Sequence, residues 1–195
     1  WTVDFWFNCN AAAGTVERLC GQCDATPTDA STSFRIVRTA GNVIAAVACV
    51  GGTASTVTGT TQYTNATNTG WHHCALVRTG DILRLFLDGT QEGGDIAITG
   101  TVNDSASVLA VGTTGAVTSD PWTGWIDEFR LSVGTARWTA TFTPPIAEYG
   151  TETATVLGTY TVTALGATPA DEFEISISAL AGATGSTEMN GGDAE

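Results

Sequence analysis

The residues of this chain with chemical potential are five cysteines, two adjacent histidines, an Asp-Glu pair and six tryptophans. Cys20-Gly21-Gln22-Cys23 has the C-x-x-C spacing of half a zinc site or of a redox pair. A zinc site needs four soft ligands. The other cysteines, Cys9, Cys49 and Cys74, form no second pair, and His72 and His73 are distant in sequence and adjacent rather than spaced. A redox motif would be followed by a helix, whereas Thr26-Pro27-Thr28-Asp29 follows here. The odd count leaves at least one thiol unpaired. The cysteines therefore read as small apolar core residues or a loop thiol pair.

Neighbours on a strand point to opposite faces, so His72 and His73 do not converge on one ion; hydrogen-bonded structural roles are expected. Asp127-Glu128 has the composition of a glycosidase pair. Such carboxylates face each other across a cleft, about 5 to 9 Å apart, which adjacent strand residues do not. No catalytic residue is assigned, and the chain reads as non-enzymatic. Asn65-Ala66-Thr67 and Asn103-Asp104-Ser105 match the glycosylation sequon by composition alone.

Flat tryptophan rings cover the apolar face of a pyranose, so each Trp has a stacking reading beside a core reading. Trp6, Trp71, Trp125 and Trp138 lie in strongly patterned segments and are expected in the core. Trp122 follows Ser119-Asp120-Pro121 in a turn-rich stretch and is expected to be at least partly exposed.

The elements that must position these residues are strands. The 195 residues suffice for one large domain or a domain with a small appendage. Hydrophobic residues make up 43% and charged residues only 14%, so the chain folds rather than staying disordered. Abundant Thr favours strands and 23 Gly supply turns. Alternation predicts strands over 2–8, 16–23, 34–39, 43–50, 71–78, 82–88, 95–98, 107–112 and 122–133, with at most one weak strand in the long Thr/Asn/Gly-rich loop 51–70. Ala40-Gly41-Asn42 and Asp88-Gly89 read as hairpin turns. Ile126 and Phe129 both read as buried although three apart, which a β-bulge at Asp127-Glu128 reconciles. Residues 136–145 form an extended exit ending in Pro144-Pro145.

Seven basic residues, all Arg, stand against twenty acids, a formal net charge of −13. No basic stripe exists to neutralise phosphates, which excludes nucleic acid and an anionic membrane surface. No segment approaches the roughly 18 to 20 apolar residues of a membrane helix.

Three ordered stretches resemble one family. They are Thr2-Val3-Asp4-Phe5-Trp6-Phe7; the hairpin Gly70-Trp71-His72-His73-Cys74-Ala75-Leu76-Val77-Arg78 with Leu83-Arg84-Leu85-Phe86-Leu87-Asp88-Gly89; and Gly124-Trp125-Ile126-Asp127-Glu128-Phe129-Arg130-Leu131-Ser132 with Ala136-Arg137-Trp138-Thr139-Ala140-Thr141-Phe142-Thr143-Pro144-Pro145. They resemble laminin-G-like, concanavalin A-like jelly rolls, the last in the form common in bacteriophage tail and virion proteins. Cys74 stands where that family has Val. The family has further residues before the first motif, including a strand beside the 124–133 strand, so an upstream segment is expected before Trp1. The jelly-roll glucanases of the superfamily carry an E-x-D-x-x-E run, which does not occur here.

The resemblance implies an all-β, two-sheet antiparallel jelly-roll sandwich over residues 1–149. A short C-terminal β extension and acidic tail follow over 150–195. It implies a non-enzymatic virion-surface protein, a tail fibre or head decoration, that binds host or environmental carbohydrate. The alternatives are a purely structural virion subunit and a secreted or cell-surface bacterial adhesin. Expected partners are a surface glycan and copies of itself or other virion proteins. Expected contacts lie in the rim loops: Asn103, Asp104, Asp120 and Trp122. Relatives often bind calcium through oxygen ligands, which makes Asp127 the calcium candidate. A bound sugar is expected to be neutral or calcium-bridged. Residues 154–163 and 172–179 alternate as half-buried strands. There are three routes: the extension covers the chain's own sandwich, it pairs with a neighbouring chain or another virion protein, or upstream residues fill the 124–133 edge. Pairing with a neighbour is favoured, because Pro144-Pro145 directs the chain away.

Overall fold

The computed structural model describes residues 1–24, 28–113 and 120–149. Ten strands follow in chain order: β1 Thr2–Cys9, β2 Glu17–Cys23, β3 Thr32–Arg38, β4 Val43–Val50, β5 Thr53–Gln62, β6 Trp71–Thr79, β7 Ile82–Leu87, β8 Thr90–Ala97, β9 Leu109–Val111 and β10 Gly124–Ser132. They form two antiparallel sheets, ordered β10-β1-β6-β7-β8 and β5-β4-β3-β2-β9. The expected jelly-roll sandwich is the observed one. The predicted strands 154–163 and 172–179 and the predicted tail lie outside the described residues.

Alternation decides which side chains fill the space between the sheets. Val3, Phe5 and Phe7 of β1, Cys74 and Leu76 of β6, and Leu83, Leu85 and Leu87 of β7 point inward. They meet Leu19, Ile36, Ile44, Ala46 and Val57 from the other sheet. All five cysteines are buried, as the core reading expects. Burial pushes the Cys74 thiol well above its ordinary range, which makes it inert.

The other face of β6 and β7 is apolar as well. Ala75, Val77 and Phe86 form a second cluster, covered by Ala136, Trp138 and Phe142 of the exit segment. Phe142 stacks on Trp138 at 4.0 Å, and its N–H donates to the Gly89 carbonyl at 3.0 Å. Gly89 has φ 77°, and a Cβ there would sit 1.9 Å from the Phe142 carbonyl oxygen, so only glycine lets the two backbones approach.

Three expectations needed correction. Residues 53–62 form a full strand paired with β4, not a weak strand in a loop. Val57 and Gly59 are buried between exposed threonines, a sparse alternation that Thr-rich composition disguises. Strand β8 begins directly after the Asp88-Gly89 turn rather than at Asp95. Trp71 and Trp125 are 47% and 57% exposed rather than buried.

The expected bulge is present. Asp4 pairs with Arg130 and Trp6 with Asp127, so Phe5 faces both Glu128 and Phe129. Glu128 takes a φ of 52°, and the Asp127 carboxylate accepts its N–H at 2.8 Å. The extra residue turns both Ile126 and Phe129 toward the core. Among the described residues, no strand pairs with the outer side of β10.

Candidate functional site

Register places two exposed tryptophans in one row. Asn8 of β1 pairs with Trp125 of β10 on one side and with Trp71 of β6 on the other. Residues directly opposite across antiparallel strands share a face, so Trp125, Asn8 and Trp71 lie side by side on the outer face of the sheet. Two residues back along β1, Trp6 pairs with Asp127 and with His73. This second row begins the covered part of the face: His73 is fully buried against Trp6, Trp138 and Phe142, at ring separations of 5.4 to 5.7 Å. The exit segment thus shelters one half of the face and leaves the tryptophan row open.

Below the row lies an open hollow of about 380 Å³ between the sheet and the end of the exit segment. Trp6, Trp71, Asp127, Glu128, Ile146 and Glu148 line it, with Pro145 and Ala147. Ile146 is 95% exposed. The wall is therefore aromatic and aliphatic with three carboxylates, and no basic side chain belongs to it.

Two ion contacts hold the row's frame, one at a buried carboxylate and one at a half-exposed carboxylate. Asp4, fully buried, accepts from Nε and Nη2 of Arg130 at 3.1 and 2.8 Å, locking β10 to β1 beside the bulge. The Arg130 guanidinium also lies over the Trp138 ring. On the inward side of β6, His72 bonds Asp88 at 2.7 Å through Nδ1 and the Asn68 carbonyl at 2.9 Å through Nε2, which ties down the loop leading into Trp71. The hydrogen bond with Asp88 raises the His72 pKa above its ordinary value. For Asp88, burial pushes upward, but the bonds from His72 and from the His73 N–H outweigh it and hold the carboxyl low.

Asn103, Asp104 and Asp120, expected from sequence, lie elsewhere, at two ends of β2. Asn103 donates its amide to the Asp29 and Thr32 carbonyls and accepts the Gly52 N–H, so it stitches three loops together. Asp104 beside it is exposed. Asp120 accepts from Arg18 at 3.3 and 3.4 Å, and the neighbouring Pro121 bridges to Arg18. The Asn103 loop instead reaches β2 at Gln22, whose amide donates to the Ser105 carbonyl. Arg18 and Gln22 are four residues apart, roughly 13 Å along an extended strand. Trp122 is half-buried as expected. Its ring packs edge-on against Phe7, and its Nε1 donates to the Trp125 carbonyl at 3.3 Å, which makes it a wall of the core rather than a platform. Asp127 is exposed at the hollow. No group of three or more His, Cys, Asp or Glu side chains able to hold a metal occurs among the described residues.

The core reading of motif tryptophans missed the exposure of Trp71 and Trp125. A signal existed: Trp125 shares its face with Asp127, and Asn8 lies on the outward face of β1. Polar residues at those positions mark the face as open.

The Laminin_G_3 family model, described as the concanavalin A-like lectin/glucanases superfamily, matches residues 1–137. Among solved structures, the chain is similar to Ruminococcus gnavus IT-sialidase CBM40, with 14% sequence identity and a TM-score of 0.49, over 65% of this chain and 71% of that one. No curated protein sequence matches. With the family model spanning most of the sandwich, from the opening strand to the exit segment, this chain belongs to the concanavalin A-like lectin/glucanases superfamily.

Proposed function

We propose that the chain is a non-catalytic carbohydrate-binding module whose contact surface is the tryptophan row on the outer face of the β10-β1-β6 sheet. One observation carries this reading: Trp71 and Trp125, about half exposed, flank an amide side chain on adjacent strands. Exposed large aromatics gathered on one face mark an interaction surface. Strands repeat at about 4.8 Å, so the two indoles stand roughly 9 to 10 Å apart across the sheet, a span for successive sugar rings rather than one small molecule. Asn8 between them offers both donors and an acceptor to ring hydroxyls. The resemblance of the 124–145 motif to bacteriophage tail and virion proteins supports display on a virion surface, with host or environmental glycan as partner and copies of the chain or other virion proteins as neighbours.

A glycan array followed by tryptophan-fluorescence titration with the oligosaccharides that bind tests the reading. Indole emission changes on binding, and Trp71→Ala and Trp125→Ala each weaken affinity about tenfold or more at unchanged melting temperature. Full affinity in both variants removes the row as the site. Release of new reducing ends from a bound oligosaccharide removes the non-catalytic reading.

A further inference from the structure

We propose that the tryptophan row takes internal stretches of neutral, flat-backboned glycans, the β-linked all-equatorial pyranose chains of the cellulose type, and lays three successive rings over Trp71, Asn8 and Trp125; this rests on the carbohydrate-binding reading above. The three residues stand opposite one another on β6, β1 and β10, so the row crosses the sheet at one strand spacing, about 4.8 Å, per step. A pyranose in an extended chain advances by about the same step. The two indoles therefore meet the first and third rings, and the middle ring lies over Asn8. In a cellulose-type chain each ring is turned over relative to the one before it, so the first and third rings present the same apolar face to the same side. An α-linked chain of the amylose type coils, and its third ring has turned away from the plane of the first. A ribbon that is extended before it binds loses less freedom in covering two indoles at once. Asn8 supplies the polar half of the contact. Among the described residues its side chain makes no hydrogen bond, whereas the side chains of Asn42, Asn68 and Asn103 are engaged inside the fold. Its donors and its acceptor are available to the in-plane hydroxyls of the middle ring. No strand flanks the row at either end among the described residues: β10 is the edge of its sheet, and β7 stops at Leu87 opposite Cys74, three residues from Trp71. A chain can run past both indoles, so no terminus has to be seated. The formal net charge of −13 favours neutral chains over polyuronates of similar shape.

Calorimetric titration of the intact chain with four hexamers tests this: those of cellulose, xylan and chitin, which share the flat ribbon, and that of amylose, which coils. At least one ribbon hexamer binds about tenfold more tightly than the amylose hexamer. For that ribbon, affinity rises about tenfold from dimer to trimer as the second indole is engaged, and Trp125→Ala removes the rise. Asn8→Ala weakens the trimer about fivefold at an unchanged melting temperature, the loss of a hydrogen bond to the middle ring. Reduction of the hexamer's terminal ring to the open alditol changes affinity by less than about twofold. An amylose hexamer that binds as tightly as every ribbon overturns the selection while leaving the binding face intact. So does a dimer that binds as well as the trimer, or full affinity in Asn8→Ala. A tenfold loss on reduction of the terminal ring overturns internal binding, because a terminus is then what the surface reads. Absence of binding by all four hexamers, with binders of another class on the glycan array, overturns this inference alone. With no binder on the array, the reading beneath it falls as well.

Discussion

At His72 both ring nitrogens meet acceptors, the Asp88 carboxylate and the Asn68 carbonyl. A neutral imidazole has one donor, so only the imidazolium makes both bonds with N–H groups. The raised His72 pKa stabilises the fold fully below its ordinary 6.5, and this contribution is lost as pH rises through the higher folded value. The lowered Asp88 pKa acts in the opposite sense: its contribution is present above the ordinary 3.8 and is lost as pH falls through the lower folded value. The pair therefore stabilises most between 3.8 and 6.5. Asp88 is nearly half exposed and solvent screens the pair, which limits its contribution to about 1 kcal/mol or less. Melting curves carried upward from this range show a small decline of the native chain as pH rises above 6.5, and His72→Gln removes it. A decline of equal size in that variant rules His72 out as its source. The structural role of both histidines was legible from adjacency on a strand. The identity of the partners was not, since Asn68 and Asp88 come from loops whose path follows from tertiary contacts.

Strands were legible wherever one face is wholly apolar, as in Leu83, Leu85 and Leu87, because period-two patterning and burial then coincide. The same logic located the bulge, where Ile126 and Phe129 break the period. It failed at β5, whose inward positions include a glycine, and at the tryptophan row, where an aromatic residue is compatible with either face. What separates the faces is the exit segment. It carries no ladder of its own among the described residues, yet Trp138 and Phe142 decide that His73 is buried and Trp71 is not. Gly89 is the point at which this segment is fastened. Gly89→Ala combines an unfavourable φ with a collision against the Phe142 backbone, and costs about 1 to 3 kcal/mol. Hydrogen exchange follows the loss locally: the Arg137 and Phe142 amides lose protection first, while those of β3 and β4 keep theirs. Uniform loss of protection throughout the sandwich contradicts fastening at Gly89.

Over the whole molecule, the acids outnumber the arginines by 20 to 7, and the arginines are used internally. Arg18, Arg38, Arg78, Arg84 and Arg130 each face an acid: Asp120, Glu17, Asp81, Asp95 and Asp4. Arg38 is fully buried and also donates to the Asn42 side chain and to the Tyr63 and Ala12 carbonyls, so its charge never reaches the surface. Arg35 and Arg137 donate to the hydroxyls of Thr32 and Ser132. A polyanion finds no group of free guanidinium groups to release its counterions, and it meets a long-range repulsion that grows as salt is removed. The consequence separates this chain from sandwiches that read sulfated glycans. Surface plasmon resonance on immobilised heparin gives no binding at low ionic strength, and still none as salt is raised. A neutral oligosaccharide bound by stacking keeps its affinity within about twofold over the same salt range, because stacking involves no net charge. Binding to heparin at low salt that weakens on salt addition would reveal a basic surface and contradict this assignment of the arginines.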